Sequence, residues 1–515
     1  MQRSFVPAFR IIHQKALAKR RDICSQDLLY NVVKLADIKD LKRMFDHLVE
    51  ARTRFGFDTL LHYANAFGAA GETKHALRCL DELRARHDTV AWQAVVDRQR
   101  LHWTCATILR KSMTKSKKYH ETPNIIASFV RLGIKVDILL YNVVMHNAME
   151  AGDYPIAFKV YNALESNGLK PDKHTYSILL NGCSSQSSPA MFQRFAQHCA
   201  EVAKDIKDPW LATDFLYYYY MRYQNDPELD RISFFMWRTY SEFFSESSFE
   251  QFLVSRKRKG LRDAVNETRV TQSSALLEPP PMALYIMLQL EIKMALAYSN
   301  QRVLLLYQQF KELANSPGFE ALARSPTTWN AFLFAFCQKQ QFASASQVIK
   351  DMTEGPAKPN VYSWNIFMQA FFKTSQVQAA ERVFEIMRSR GVDPDHFTYG
   401  VLLRGYAKAQ LIDRIGDTMQ HVKTEEEMDP DLLRALAKVV DRRKLMLALE
   451  TSRVEKEARA KEQADKEAEE ERQRWARYDE TFSFLEEQSV GPEESSPVRE
   501  ASTTKSSKEP PDSGI

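Results

Sequence analysis

The residues able to do covalent or metal chemistry are scattered, and their scatter is the first finding. Six cysteines, Cys24, Cys79, Cys105, Cys183, Cys199 and Cys337, stand singly, with no CxxC pair and no Cys/His group at metal-ligand spacing. They read as reduced, mostly buried thiols. No Gly-rich phosphate loop, HExxH or GxSxG is present, and the abundant carboxylates form no isolated set at helical spacing. The chain therefore reads as a non-enzyme that needs no metal or cofactor. Two basic groups remain, Lys111, Lys115, Lys117 and Lys118, and the run Arg256, Lys257, Arg258 and Lys259. Either can touch phosphate or be ordinary solvated surface. The net charge of +5 over 515 residues is compatible with a nucleic-acid partner without requiring one.

What would position such groups is a repeat. Blocks opening at Pro326, Val361 and His396 are spaced by 35 residues, and a fixed period of this size marks a solenoid. Ala345 and Ala380 occupy one slot, Ile349 and Phe384 the next, Met352 and Met387 the third. Offsets of four and three place them on one helical stripe. Trp329, Phe332, Leu333 and Phe336, matched by Trp364, Phe367, Met368 and Phe371, form a second stripe earlier in each block. Each block is thus a helical hairpin, turning near Lys339–Phe342 and Thr374–Val377, that must stack on neighbours to bury both faces. The fold class is all-α, an α-solenoid. An earlier block from Ile138 keeps the register through Ala157, Tyr161 and Leu164.

With LLYNVV, IAFKVYNAL and NGLKPD in that block, and SWNIFM, AAERVFEIM and RGVDPD in the block from Val361, the chain resembles the pentatricopeptide repeat (PPR) family. The resemblance implies that each repeat meets one base of single-stranded RNA. Its base-reading pair is the fifth and last residue of a block, which here gives Asn142 with Asp172, Asn330 with Asn360, and Asn365 with Asp395. An Asn amide offers both a donor and an acceptor, as uracil O4 and N3–H require. The resemblance implies uracil at the Asn142 and Asn365 repeats and a pyrimidine at Asn330. Second residues of successive blocks would sandwich the bases: Leu139 and His174, Thr327 and Tyr362, Tyr362 and Phe397. The same Asn and Asp residues, at helix starts, are also ordinary capping residues. Leu61, Gln93, Ser177 and Gly400 replace the reading Asn elsewhere, and the block from His396 ends near Pro430–Asp431, out of register.

Taken in order, residues 1–24 are basic, with Phe5, Phe9, Ile12 and Ala16 along one side of a helix. They read as a mitochondrial targeting segment, a basic helix, or a start inside a longer protein. Residues 25–207 hold N-terminal PPR-like hairpins, including a block opening at Thr89. Residues 208–281 lose the period and read as a diverged helical insertion. Residues 282–431 carry the C-terminal repeats, 432–488 a charged exposed helix, and 489–515 a Pro/Ser-rich disordered tail. No uninterrupted apolar run reaches transmembrane length. The Phe/Tyr-rich blocks, broken middle and KEARAKEQADKEAEEERQRW stretch look like fungal mitochondrial PPR members, particularly translational activators of the cytochrome oxidase subunit 1 message. The expected partner is single-stranded mitochondrial RNA, in translation, processing or stability, in the matrix or at the inner membrane beside translation factors. The alternative is a structural solenoid holding the mitochondrial ribosome or another protein without reading sequence.

Overall fold

The computed structural model describes Phe9 and residues 25–113, 121–245, 276–316, 319–422 and 429–489, and this part of the chain is helical with no strand. Residues 1–24 apart from Phe9, and 490–515, lie outside it. The helices come in hairpins: α1 (Gln26–Leu35) with α2 (Ile38–Glu50), then α3 (Phe57–Ala69) with α4 (Thr73–Ala85). A short α5 (Thr89–Val96) precedes α6 (Gln99–Lys111) and α7 (Thr122–Arg131). Next are α8 (Ile138–Glu150) with α9 (Tyr154–Ser166), α10 (Lys173–Ser184) with α11 (Gln193–Ile206), and α12 (Pro209–Tyr223) with α13 (Leu229–Phe243). The C-terminal part runs α14 (Pro281–Tyr298), α15 (Asn300–Leu313), the single turn α16 (Glu320–Arg324), α17 (Pro326–Gln338), α18 (Phe342–Glu354), α19 (Val361–Lys373) and α20 (Val377–Ser389). It ends with α21 (His396–Lys408), α22 (Ile412–Met419), α23 (Pro430–Leu436) and the 48-residue α24 (Arg442–Ser489).

The first helix of each hairpin packs on the first helix of the next, in the unbroken order α1, α3, α6, α8, α10, α12, α14, α17, α19, α21, α23. Their partners form the outer layer. The sequences show why. Second helices carry one buried stripe, such as Ala345, Val348, Ile349 and Met352 in α18. First helices are apolar on both flanks: α19 buries Trp364, Ile366, Phe367, Met368, Ala370 and Phe372. A helix of the second kind suits an edge with solvent behind it, and one of the first kind needs neighbours on either side.

Hairpin turns close as expected. Gln340, Ser375 and Gln410 take left-handed φ of 57°, 61° and 59°, a conformation that Gly71 and Gly152 adopt in earlier turns. In each, the next residue's N–H returns to the carbonyl five back (Gln341 to Phe336, Gln376 to Phe371, Leu411 to Tyr406), the bond that ends a helix at its C-cap.

Two departures from the sequence reading concern the wall of first helices. The block placed at Thr89 contributes only α5, which stops at Asp97; α6, ten residues on, takes the wall position, so Gln93 is not part of it. In residues 208–281, where the period is lost, α12 and α13 continue the two-layer packing, and α12 hands on to α14. Trp237 Nε1 donates to the buried Glu291 carboxylate at 3.1 Å, tying α13 to α14. Ser245 N–H reaches Leu277 O at 3.0 Å, so the chain either side of residues 246–275 meets at one place.

The five described cysteines are buried, and burial pushes the thiols up, Cys183 and Cys337 to about 12. Cys24 lies outside the described residues. Among those described, no helix is long and apolar enough to cross a membrane.

In four of the wall helices, α10, α17, α19 and α21, the tenth position is small: Gly182, Ala335, Ala370 and Gly405. A Cβ on Gly182 would lie 2.6 Å from Met149 Cγ, and one on Gly405 would overlap the Phe372 ring. Gly405→Ala is therefore expected to destabilise by about 1–3 kcal/mol, read from urea unfolding, with Phe372→Leu recovering part of the loss. An alanine variant as stable as the parent would show that the helices can separate freely there.

Candidate nucleic-acid interface

The last residue of a block caps the next wall helix and can face the fifth residue of its own block, which lies on the helix before. Asp172, Asn360 and Asp395 are N-caps of α10, α19 and α21, and each forms a reciprocal capping box with the third helical residue, Thr175, Ser363 or Thr398. The N–H of that residue donates to the cap's Oδ1 at 2.8, 2.9 and 2.8 Å respectively. The same Oδ1 faces the preceding wall helix. Asn142 Nδ2 donates to Asp172 Oδ1 at 3.2 Å, and Asn330 Nδ2 to Asn360 Oδ1 at 3.4 Å. The capping bond fixes which end of Asn360 is oxygen, so the Asn330 amide must turn its nitrogen toward it. Its own oxygen is left over. Asn330 Oδ1 and, one repeat on, Asn365 Oδ1 are buried without a hydrogen-bond partner. In the Asn142 repeat, Thr175 Oγ1 donates to the equivalent oxygen at 2.8 Å.

Structure thus brings the pairs Asn142/Asp172 and Asn330/Asn360 into contact. The hydrogen bonds described for the Asp395 side chain go to Thr398 rather than to Asn365. The three Asn side chains are buried, at 5%, 3% and 9% exposure, between the wall helices. Asp172 is half-buried: burial alone would raise its pKa, but hydrogen bonds from Thr175 and Asn142 and the nearby His174 outweigh it and hold it below the usual value.

Beside the pairs stand the second residues. Tyr362 and Phe397 are 62% and 60% exposed, His174 and Thr327 are exposed, and Leu139 is half-buried against the core. The wall adds two that sequence reasoning missed, Trp210 and Met282, the second residues of α12 and α14, at 59% and 53% exposure. The signal for Trp210 was local: Asp208 accepts from Trp210 and Leu211 N–H at 3.0 and 2.9 Å, so DPW marks a helix start. In the adjoining α10 the fifth residue is Ser177, which with Asn181 donates to Asp214; burial raises the pKa of that carboxyl.

Farther along four of the wall helices the thirteenth residue is a lysine: Lys111 in α6, Lys293 in α14, Lys373 in α19 and Lys408 in α21. Of these, Lys293 Nζ donates to Gln224 O and Lys408 Nζ to Lys373 O, while Arg100 on α6 and Arg404 on α21 are ion-paired with Asp58 and Asp429. Lys115, Lys117, Lys118 and Arg256, Lys257, Arg258 and Lys259 lie outside the described residues. No group of three or more His, Cys, Asp or Glu among the described residues could hold a metal ion.

Fold and site together define a helical-hairpin solenoid whose inner wall presents repeated amide–cap pairs beside exposed rings. Residues 136–185 and 359–408 match the PPR repeat family, and residues 327–355 match the PPR repeat. No curated protein matches the sequence. Similar solved structures include the pentatricopeptide repeat protein PPR10 in complex with an 18-nt psaJ RNA element, at 17% identity and TM-score 0.41, covering 88% of this chain and 62% of that one. PPR10 from maize has 17% identity and TM-score 0.38, covering 88% and 66%. The chain spans less than two thirds of the length of either.

Asp172 ties cap, wall and pair together, so its removal reads out all three. Asp172→Ala is expected to cost about 1 kcal/mol at neutral pH. Because its folded pKa lies below the ordinary 3.8, the stabilisation from its charge is complete above that value and lost as pH falls through the folded one. Asp172→Asn keeps the cap and should flatten this acid limb in urea titrations between pH 7 and pH 3; an unchanged limb would dismiss the charge's role.

Proposed function

We propose that the wall binds single-stranded RNA, with bases between successive second residues and their polar edges against the fifth-residue amides. One observation carries this reading: in two adjacent repeats Asn330 and Asn365 each hold a buried acceptor without a hydrogen-bond partner, and the second residues of the wall helices that follow them, Tyr362 and Phe397, are exposed rings. An unsatisfied buried acceptor costs about 1–3 kcal/mol, and a base donor such as uracil N3–H supplies the missing bond. In keeping with the resemblance, Asn142 with Asp172 and Asn365 with Asp395 would select uracil, and Asn330 with Asn360 a pyrimidine, the last two reading neighbouring bases. The repeat matches over 136–185, 327–355 and 359–408 fall on these same pairs and support the assignment.

The biological reading follows from the sequence: a mitochondrial transcript, bound to support its translation, processing or stability, in the manner of the fungal activators that the chain resembles. The protein acts by occupancy, keeping its segment unpaired or masked, and not as an enzyme. Exposed apolar residues near the C-terminal end, Val440, Met446, Leu447 and Val454, would suit a protein partner such as the mitochondrial ribosome.

Stacking on an aromatic side chain is worth about 1–3 kcal/mol per base. Tyr362→Ala and Phe397→Ala should each weaken binding of a uracil-containing single strand about 5- to 150-fold, while circular dichroism melts stay unchanged because neither ring is in the core. Crosslinking in mitochondria should recover one dominant transcript that the double variant loses. Equal affinity of parent and variants, or diffuse ribosomal RNA recovered by both, would move the protein to the structural class.

A further inference from the structure

The repeat from His396 breaks the pattern of its neighbours, and the way it breaks is specific. Its fifth residue is Gly400, so no amide stands in the slot that Asn330 and Asn365 fill. The slot is not empty. Arg404, the ninth residue of α21, folds back over it, with Nη1, Nη2 and Cζ at 3.5, 3.8 and 3.9 Å from where a Cβ on Gly400 would be. In the two preceding repeats the ninth residue is Phe334 or Gln369, beside an Asn. A side chain longer than alanine at position 400 would meet the guanidinium, so glycine and arginine form one arrangement.

The cap residue completes it. The N-cap of α23 is Asp429, one residue before the end expected from the sequence. Its Oδ1 accepts from the N–H of Asp431, the second helical residue, at 2.9 Å, and its Oδ2 takes Arg404 Nη1. Both carboxylate oxygens are engaged. The salt bridge uses one terminal nitrogen of the guanidinium and leaves the edge formed by Nε and Nη2. Arg404 is a quarter exposed and lies in the slot beside Phe397, which is 60% exposed.

We propose that Arg404, held by Asp429, is the specificity-determining residue of this repeat and selects guanine or cytosine over adenine and uracil. The inference rests on the RNA-binding reading and deepens it. A guanidinium edge is donor-only and places two N–H groups side by side, so it demands two adjacent acceptors. Guanine offers O6 and N7, and cytosine O2 and N3. In uracil the two carbonyls are separated by N3–H, and in adenine each edge acceptor has the amino group for a neighbour. The preceding repeats, with an amide in this slot, make no such demand. The next base along the strand is therefore chosen by different chemistry from that of Asn330 and Asn365.

The test uses the full chain and fluorescently labelled single strands of one length, with uracil for Asn365 and each of the four bases beside it. The variable base is placed on either side in separate series, because strand direction is itself an outcome. In one series guanine and cytosine should bind about five-fold or more tighter than adenine and uracil. Arg404→Gln, which installs the residue found at position 369, should abolish this difference and leave the uracil preference at Asn365 intact. Gly400→Asn with Arg404→Ala should convert the site toward uracil. Asn365→Ala should do the reverse, removing the uracil preference while guanine or cytosine selection persists. Four equal affinities in both series, with uracil still selected at Asn365, would overturn this inference and leave the RNA reading standing. So would an equal loss for all four bases in Arg404→Gln, the mark of a phosphate contact. Absence of binding by every strand would overturn both.

Discussion

Contact between successive first helices is the constraint from which the rest of this structure follows. Each wall helix between the first and the last is flanked by two others and backed by a second-layer helix, so only one strip of its surface reaches solvent. Close packing at protein density leaves little tolerance on the flanks, which is why the tenth position is held to Gly or Ala where Phe372 or Met149 presses in. The same geometry drives the fifth residue into the seam between helices and turns the second, ninth and thirteenth outward. Tyr362, Phe334 and Lys373 occupy that strip because no other face of the helix is free.

At the seam, the structural role and the proposed recognition role fall on the same atoms. A helix N-terminus needs its N–H groups satisfied, and Asp172, Asn360 and Asp395 do that with Oδ1. The cap orients the side chain, and the oriented side chain in turn orients the neighbouring Asn. A polar group held this way loses little freedom when a ligand arrives, which is the benefit of preorganisation. Capping and reading are therefore not competing explanations for an Asn or Asp at these positions: the first makes the second geometrically defined.

Where helices keep one length, the sequence shows this plainly. α8, α17, α19 and α21 are each 13 residues long, so apolar slots recur at 35 and the pairs can be placed by counting. In the middle, α12 has 15 residues and α14 has 18, and residues 246–275 intervene. Stacking needs apolar flanks, not a constant count, so packing continues after the period is gone, and Trp210 and Met282 go unnoticed. At Thr89 the pattern VAWQAVV imitates a block opening, yet α5 is only eight residues long and the wall helix forms after it. Burial of the Asn side chains was also beyond the one-dimensional pattern, which marks a slot without saying which way it faces. Gly400 is visible as a failed slot, but that Arg404 fills it depends on a backbone turn and a cap one residue away.

Magnitudes decide how such a wall divides its work. On the proposed reading the rings at Tyr362 and Phe397 would border the bases of adjacent repeats, and stacking at about 1–3 kcal/mol per base would give a few kcal/mol in all. A dissociation constant of about 1 μM needs roughly 8 kcal/mol, so stacking and edge contacts alone fall short. On that reading the remainder comes from phosphates, for which Lys111, Lys293, Lys373 and Lys408 stand along the wall. Neutralising about four phosphates of a single strand releases counterions in proportion, a gain that salt erodes and sequence does not alter. On the proposed reading affinity would be distributed over the whole solenoid, whereas discrimination would be concentrated in the adjacent repeats from Pro326 to Asp429, where amide, ring and guanidinium stand in one register. A partner that diverges in those few bases would lose selectivity without losing its hold on the wall.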